Sequence, residues 1–224
     1  AQTGYPRIDL TLNKTDLEKD ELRRILGITT TKKVILYAPT WRGTLGTAED
    51  ETEQFVNDIT MLVKLDAHIL FRGHYFVEQS IYSTSLGECV VPEEINSNEL
   101  MSIVDILITD YSSIAFDFMV TKKPILYYLH DYEEYKNERG LYFDAEELPG
   151  KISHTLKELF DDACSILNHN HQHKNYEQCQ KKFTPYEDGE ATTKVVDFFF
   201  NDDMTHRVKS TNKESILLFA GEFM

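Results

Sequence analysis

The sequence predicts an α/β domain, a Rossmann-like parallel sheet with helices on both faces. Short apolar runs recur at Lys33 to Ala38, His68 to Arg72, Ile106 to Thr109 and Pro124 to Tyr128, the composition of strands covered on both sides. Amphipathic stretches separate them at the spacing of strand–helix–strand units. A length of 224 residues with 41% hydrophobic side chains is enough for one such core.

The elements follow in order. Asp16 caps a helix through about Leu26, and Gly27 stops it. Lys33 to Ala38 reads as a central strand ending at Pro39. A helix over roughly Asp50 to Leu65 carries Phe55, Ile59, Leu62 and Val63 on one stripe. After the strand His68 to Arg72, Tyr75 to Tyr82 reads as a helix and Cys89 to Pro92 as a short strand. Ser97 caps a helix of Leu100 to Val104. The strand Ile106 to Thr109, the helix Ser113 to Val120 and the strand Pro124 to Tyr128 come next. Asp131 to Gly140 reads as a polar, aromatic loop. Lys151 to Leu167 and Glu190 to Phe200 read as helices.

Composition narrows the functional classes. A net charge of -15 argues against nucleic-acid binding, which needs a basic face. Cys89, Cys164 and Cys179 form no CxxC pair, so neither a disulfide framework nor a zinc site is indicated, as in a reducing cytosol. His169, His171 and His173 alternate in a polar stretch that reads as solvated surface, and no metal site is expected. The opening Ala1 to Arg7 reads as the middle of a longer chain. Residues 1–208 are expected to form the domain. Residues 209–224 read as a linker and the first strand of a following domain, or as a last edge strand of this one.

Four segments at strand ends or helix starts could carry chemistry. Thr109-Asp110-Tyr111-Ser112-Ser113 runs from a strand into a helix, where unpaired amides and hydroxyls suit a phosphate; capping by either serine is the plain alternative. Phe71-Arg72-Gly73-His74 offers a fixed charge and an imidazole. Pro39-Thr40-Trp41-Arg42-Gly43 offers the sole tryptophan. Asp188-Gly189 opens the late helix that carries Lys194, with Asp188 either an N-cap or a ligand.

Taken together with Gly4-Tyr5-Pro6-Arg7-Ile8-Asp9 and with Ile114-Ala115-Phe116-Asp117, these segments resemble the CDP-glycerol glycerophosphotransferase family in order and spacing over about residues 4 to 200. The resemblance implies the donor-binding half of a GT-B-like enzyme. That enzyme would move glycerol phosphate from CDP-glycerol to a growing polyol-phosphate chain, of teichoic acid or capsule, and release CMP. His74 falls on the family's essential histidine. Arg72, Ser112, Ser113 and Lys194 are expected at the donor phosphates, and Pro39, Thr40, Trp41, Arg42, Asp110, Asp117, Asp188 and Gly189 at the nucleotide or polyol. Lys194 stands where relatives usually have Arg, which loses the bidentate fork and keeps CDP-ribitol open as donor.

The resemblance further implies no cofactor, a lipid-linked acceptor, an acceptor-side base in a missing N-terminal domain, and a cytoplasmic location, peripheral on the inner face of a bacterial membrane. A GT-B nucleotide-sugar glycosyltransferase and a catalytically idle binding module remain alternatives.

Overall fold

The computed structural model describes residues 2–42, 48–141, 145–168 and 176–201. Gly43, His169, His171, His173 and the segment 209–224 lie outside them.

Five strands form one fully parallel sheet: β1 (Lys33–Ala38), β2 (Ala67–Phe71), β3 (Ile106–Thr109), β4 (Ile125–Tyr128) and β5 (Lys151–Ser153), in the order β2-β1-β3-β4-β5. The alternation of side chains along β1 sorts the core into two layers. Val34, Leu36 and Ala38 face a cluster holding Leu22 of α2 (Asp16–Ile25), Leu100 of α5 (Ser97–Met101) and Phe118 of α6 (Ile114–Met119). Ile35 and Tyr37 face Ile59 of α3 (Ala48–Leu62), Ile81 of α4 (Tyr75–Tyr82) and Leu159 of α8 (Leu156–Asn168). This is the expected parallel sheet with both faces covered.

Several local readings change. Thr15, not Asp16, caps α2. Its side chain accepts from Glu18 N while Glu18 accepts from Thr15 N, a reciprocal box that places Asp16 inside the first turn. Asn96, not Ser97, caps α5. The strand expected at Cys89 to Pro92 shrinks to a 3₁₀ turn at Gly87–Cys89 and one parallel bridge between Phe71 and Val90. Val63 falls off the buried stripe of α3 and is exposed. The helix expected from Lys151 splits, because Lys151–Ser153 pairs with β4 before α8 begins. A Cβ on Gly150 would lie 2.6 Å from Ile125 O, so the chain enters β5 where only glycine fits. The loop expected at Asp131 to Gly140 contains α7 (Tyr132–Glu138). Helices α1 (Pro6–Leu12) and α9 (Tyr176–Phe183) were not anticipated. The late helix is α10 (Ala191–Val196), continued by a π-helical turn over Asp197–Asn201.

Asp58 of α3 has no exposed surface and accepts from Tyr37 Oη at 2.7 Å and Gln54 Nε2 at 2.8 Å. Burial pushes its carboxyl up to about 6. A folded-state value above the unfolded one favours the protonated form in the fold, so this group's contribution is full below about pH 4 and is lost as pH rises through about 6. Asp58→Asn is therefore expected to remove that slope and raise stability at pH 8 by up to roughly 3 kcal/mol, read from urea unfolding between about pH 4 and pH 8.

Candidate functional site

The strand order reverses between β1 and β3, so the loops leaving their carboxyl ends diverge and open a crevice there. Asp110, at the end of β3, ties the two loops together. Its carboxylate is nearly fully buried and accepts from Thr40 N at 2.9 Å, Thr40 Oγ1 at 2.6 Å and Tyr111 N at 2.6 Å. It also pairs with the Arg42 guanidinium. Arg42 continues to Asp131, donating from Nε at 2.8 Å and from Nη2 at 3.2 Å. The Tyr111 hydroxyl donates to the same carboxylate at 3.0 Å.

Above this network the rings of Tyr111 and Tyr135 stack with centroids 3.6 Å apart, and the Arg42 guanidinium lies 4.9 Å from the Tyr111 centroid. Arg139 of the α7 C-cap donates to the Arg42 carbonyl at 2.7 Å. Burial opposes the Arg42 charge, but Asp131 and Asp110 outweigh it and hold the guanidinium protonated. Burial likewise pushes the Asp131 carboxyl up, and Arg42 pulls it below the usual carboxylate range. Burial, then Asp131, pushes the Tyr111 phenol far up.

A second cluster joins this one through Trp41, whose indole stacks on the His74 ring at 4.2 Å between centroids and 18° between planes. His74 is the N-cap residue of α4, in extended geometry, and Phe76 packs 5.5 Å from its ring. Arg72 spends Nη2 on the carbonyls of Pro92 and Ile95, at 3.1 Å and 2.8 Å, and burial lowers its pKa. Trp41 Nε1, Arg72 Nε and His74 Nδ1 are all buried without a hydrogen-bond partner among the described residues. Each such group costs about 1–3 kcal/mol if left dry, and the stacked pair Trp41 and His74 marks a place where further polar atoms belong.

The Ser112-Ser113 turn divides its work. Ser112 Oγ accepts from Ile114 N at 3.3 Å, as simple capping requires, whereas Ser113 is exposed and its side chain caps nothing.

The fourth expected segment does not join the Trp41–His74 corner; its contacts are with α1. Asp188 pairs with Lys194 and accepts from Glu190 N at 3.1 Å, at an exposed position. Gly189 takes φ +85° and passes so close to Asn13 that a Cβ would lie 2.6 Å from its Oδ1. Asn13 donates to Gly189 O at 2.6 Å, and buried Asp9 of α1 caps α10 by accepting from Ala191 N at 3.1 Å and Thr192 N at 2.7 Å. Asp117 takes a two-pronged contact from Arg7, at 2.8 Å and 2.9 Å. The Gly4 to Asp9 segment is thus a clasp between α6 and α10.

Asp131, Tyr135 and Arg139 were missed from sequence because they fall in the stretch read as loop; Asp131 closely follows a strand, as the other site segments do. Beyond the ends of β4 and β5, a cavity of about 360 Å³ is lined by Leu129, His130, Asp131, Tyr132, Glu133, Glu134 and His154. His154 Nδ1 lies 2.9 Å from the Leu129 carbonyl, which can only accept, so Nδ1 carries the proton. Among the described residues no group of three His, Cys, Asp or Glu side chains is placed to hold a metal ion.

Residues 1–201 match the model of the CDP-glycerol:poly(glycerophosphate) glycerophosphotransferase family. The chain belongs to this family. Among family relatives, a teichoic acid poly(glycerol phosphate) polymerase of Bacillus spizizenii is 35% identical over 205 residues, 88% of this chain and 52% of that protein. A teichoic acid glycerol-phosphate transferase of Staphylococcus aureus is 36% identical over 89% of this chain and 54% of its own. A teichoic acid ribitol-phosphate primase of Bacillus spizizenii is 30% identical over 87% and 51%. The solved wall teichoic acid polymerase TagF superposes with a TM-score of 0.72 at 29% identity, covering 88% of this chain and 50% of that one. The chain therefore spans about half the length of these glycerophosphotransferase relatives.

Asp110→Ala leaves Arg42, Thr40 N and Tyr111 N without their buried acceptor. Chemical denaturation is expected to show a loss of about 3–5 kcal/mol, while Asp188→Ala, at an exposed pair, leaves the transition midpoint close to wild type.

Proposed function

We propose that this chain supplies the donor site of a transferase that passes glycerol phosphate from CDP-glycerol to the terminal hydroxyl of a growing polyol-phosphate chain. The observation that carries the reading is the set of unpaired buried nitrogens Trp41 Nε1, Arg72 Nε and His74 Nδ1 in the segments that leave the carboxyl ends of β1 and β2, in a chain of this family. In the transfer, the acceptor oxygen bonds to the glycerol phosphate phosphorus as the bond to the CMP oxygen breaks. CMP leaves with the electron pair, and the acceptor proton passes to a base. That base is assigned to the part of the relatives that this chain does not match.

The roles follow from local chemistry. His74 Nδ1 is buried without a partner among the described residues, so it is the ring atom left for the donor. An N–H at that position donates to a phosphate oxygen of the donor or to the departing CMP. Trp41 fixes the plane of that ring. Arg72 contributes charge more than geometry, because one of its nitrogens already serves two carbonyls. The free Ser113 hydroxyl meets the diphosphate. Charge is offset by positioned donors, as phosphoryl transfer requires. Thr40, Arg42 and Asp110 shape the floor of the site. Asp117, Asp188, Gly189 and Lys194 belong to the clasp that joins α6 and α10 through α1.

The relative named as a ribitol-phosphate primase supports CDP-ribitol as the second donor reading. Among the described residues no helix is long and apolar enough to cross a membrane. Peripheral contact with the inner membrane face belongs to this proposal through its lipid-linked acceptor.

Trp41 is the sole tryptophan, so its fluorescence reports on the site directly. CDP-glycerol is expected to change that emission saturably, CDP-ribitol more weakly and a UDP-sugar not at all. His74→Ala and Ser113→Ala should each weaken binding about tenfold, the worth of one charge-assisted hydrogen bond. The chain alone is expected to bind without robust turnover. Binding of UDP-sugars in preference to CDP-polyols, or of no nucleotide, would defeat the reading.

A further inference from the structure

We infer that Asp131 is a positioning residue that fixes the donor-binding turn against the loop after β1. This inference rests on the donor-site reading above. Asp131 stands at the N-cap of α7, where an aspartate ordinarily turns its carboxylate back onto the first helix amides. Here its side chain makes no such cap. It reaches the other way and accepts three hydrogen bonds, all from the two neighbouring loops. Arg42 gives two, from Nε at 2.8 Å and Nη2 at 3.2 Å, and the Tyr111 hydroxyl gives the third at 3.0 Å.

The consequence is mechanical. Tyr111 directly precedes Ser112 and Ser113. Its amide is held by Asp110, its hydroxyl by Asp131 and its ring by Tyr135. Three points fix the residue from which the serine turn departs. Arg42 is fixed by the same two carboxylates, and it directly follows Trp41, the residue that stacks on His74. Asp131 therefore sets both the serine turn and the plate that orients the histidine, without touching either.

Charge makes the claim testable by sign. Asp110 and Asp131 together face one guanidinium, so the trio formally carries one excess negative charge beside a site meant for a diphosphate. If Asp131 acted only through its charge, Asp131→Asn would tighten binding of the anionic donor. If it positions, the same change loosens binding. An asparagine has one accepting oxygen in place of two, and its amide would point N–H groups at the N–H groups of Arg42.

The test uses the whole chain. CDP-glycerol is titrated by Trp41 fluorescence into wild type, Asp131→Asn, Tyr111→Phe and the double variant, and the Arg42 Nε–H signal is followed by ¹⁵N NMR. The expected results are about tenfold weaker binding for Asp131→Asn, a smaller loss for Tyr111→Phe, and a double variant no weaker than Asp131→Asn alone, because both act through one carboxylate. The Arg42 Nε–H signal is expected to be slow in exchange with water in wild type and rapid in Asp131→Asn, while the amide signals of β2 and α4 stay in place. Unchanged or tighter binding by Asp131→Asn, or an Arg42 signal that stays protected, overturns the inference. If Asp131→Asn does not fold, Tyr111→Phe decides, since it deletes one hydroxyl and unaltered affinity overturns the claim. If wild type binds neither CDP-glycerol nor CDP-ribitol, the functional reading falls and the Arg42 signal alone judges the positioning.

Discussion

Arg42 lies between Asp110 and Asp131, and the carboxyl edge of the sheet is organised around those two ion pairs. The strand order dictates the problem. Where it reverses, adjacent loops diverge and leave a crevice with no backbone ladder to hold its walls. A planar guanidinium with several fixed donors can bridge three loops at once, which a lysine could not. Burial of the carboxylates makes the bridge costly to break on one side only. The paired rings of Tyr111 and Tyr135 shield it from water. The site is firm where loops are usually soft, because its loops share one cation.

The sheet was legible because parallel strands covered on both faces leave a plain signature: apolar at every position, short, and punctuated by Pro39, Gly73 or a serine pair. The site segments were legible for the same reason, since each directly follows such a strand or opens a helix. The boundaries that failed did so for identifiable causes. Thr15 outcompetes Asp16 as a cap because Glu18 stands three residues on and completes the box. Lys151–Ser153 is strand rather than helix because β4 offers an open edge, a tertiary fact that no local propensity records. Helix α7 was hidden by its polarity: it buries no residue fully and is held by ring stacking and by Arg139 instead.

Roles were less legible than places. Aspartates chosen as ligand contacts divide into kinds that sequence spacing does not separate. Asp110 is an internal tie, Asp117 answers Arg7, and Asp188 closes a surface turn. The Gly4 to Asp9 segment, carried into the reading only by resemblance, proved to have a physical job. Gly4 turns at φ +81° where a side chain would strike Tyr186 O, Pro6 opens α1, Arg7 grips α6, and Asp9 caps α10. Conversely, Asp131 has the larger structural part and drew no notice, because its partners lie 20 and 89 residues away.

That clasp also governs the order in which the domain can be assembled. The bonds from Ala191 N and Thr192 N to Asp9 join residues 182 and 183 positions apart. Contacts of that separation carry the largest loop-closure cost until intervening contacts shorten the loop. During synthesis, α1 leaves the ribosome before its partners α5 and α6, and long before α10. Until then Asp9 is a carboxylate waiting for a helix to cap. Arg7 of the same clasp grips α6, the helix that leaves the serine turn, so one short segment touches both that helix and α10.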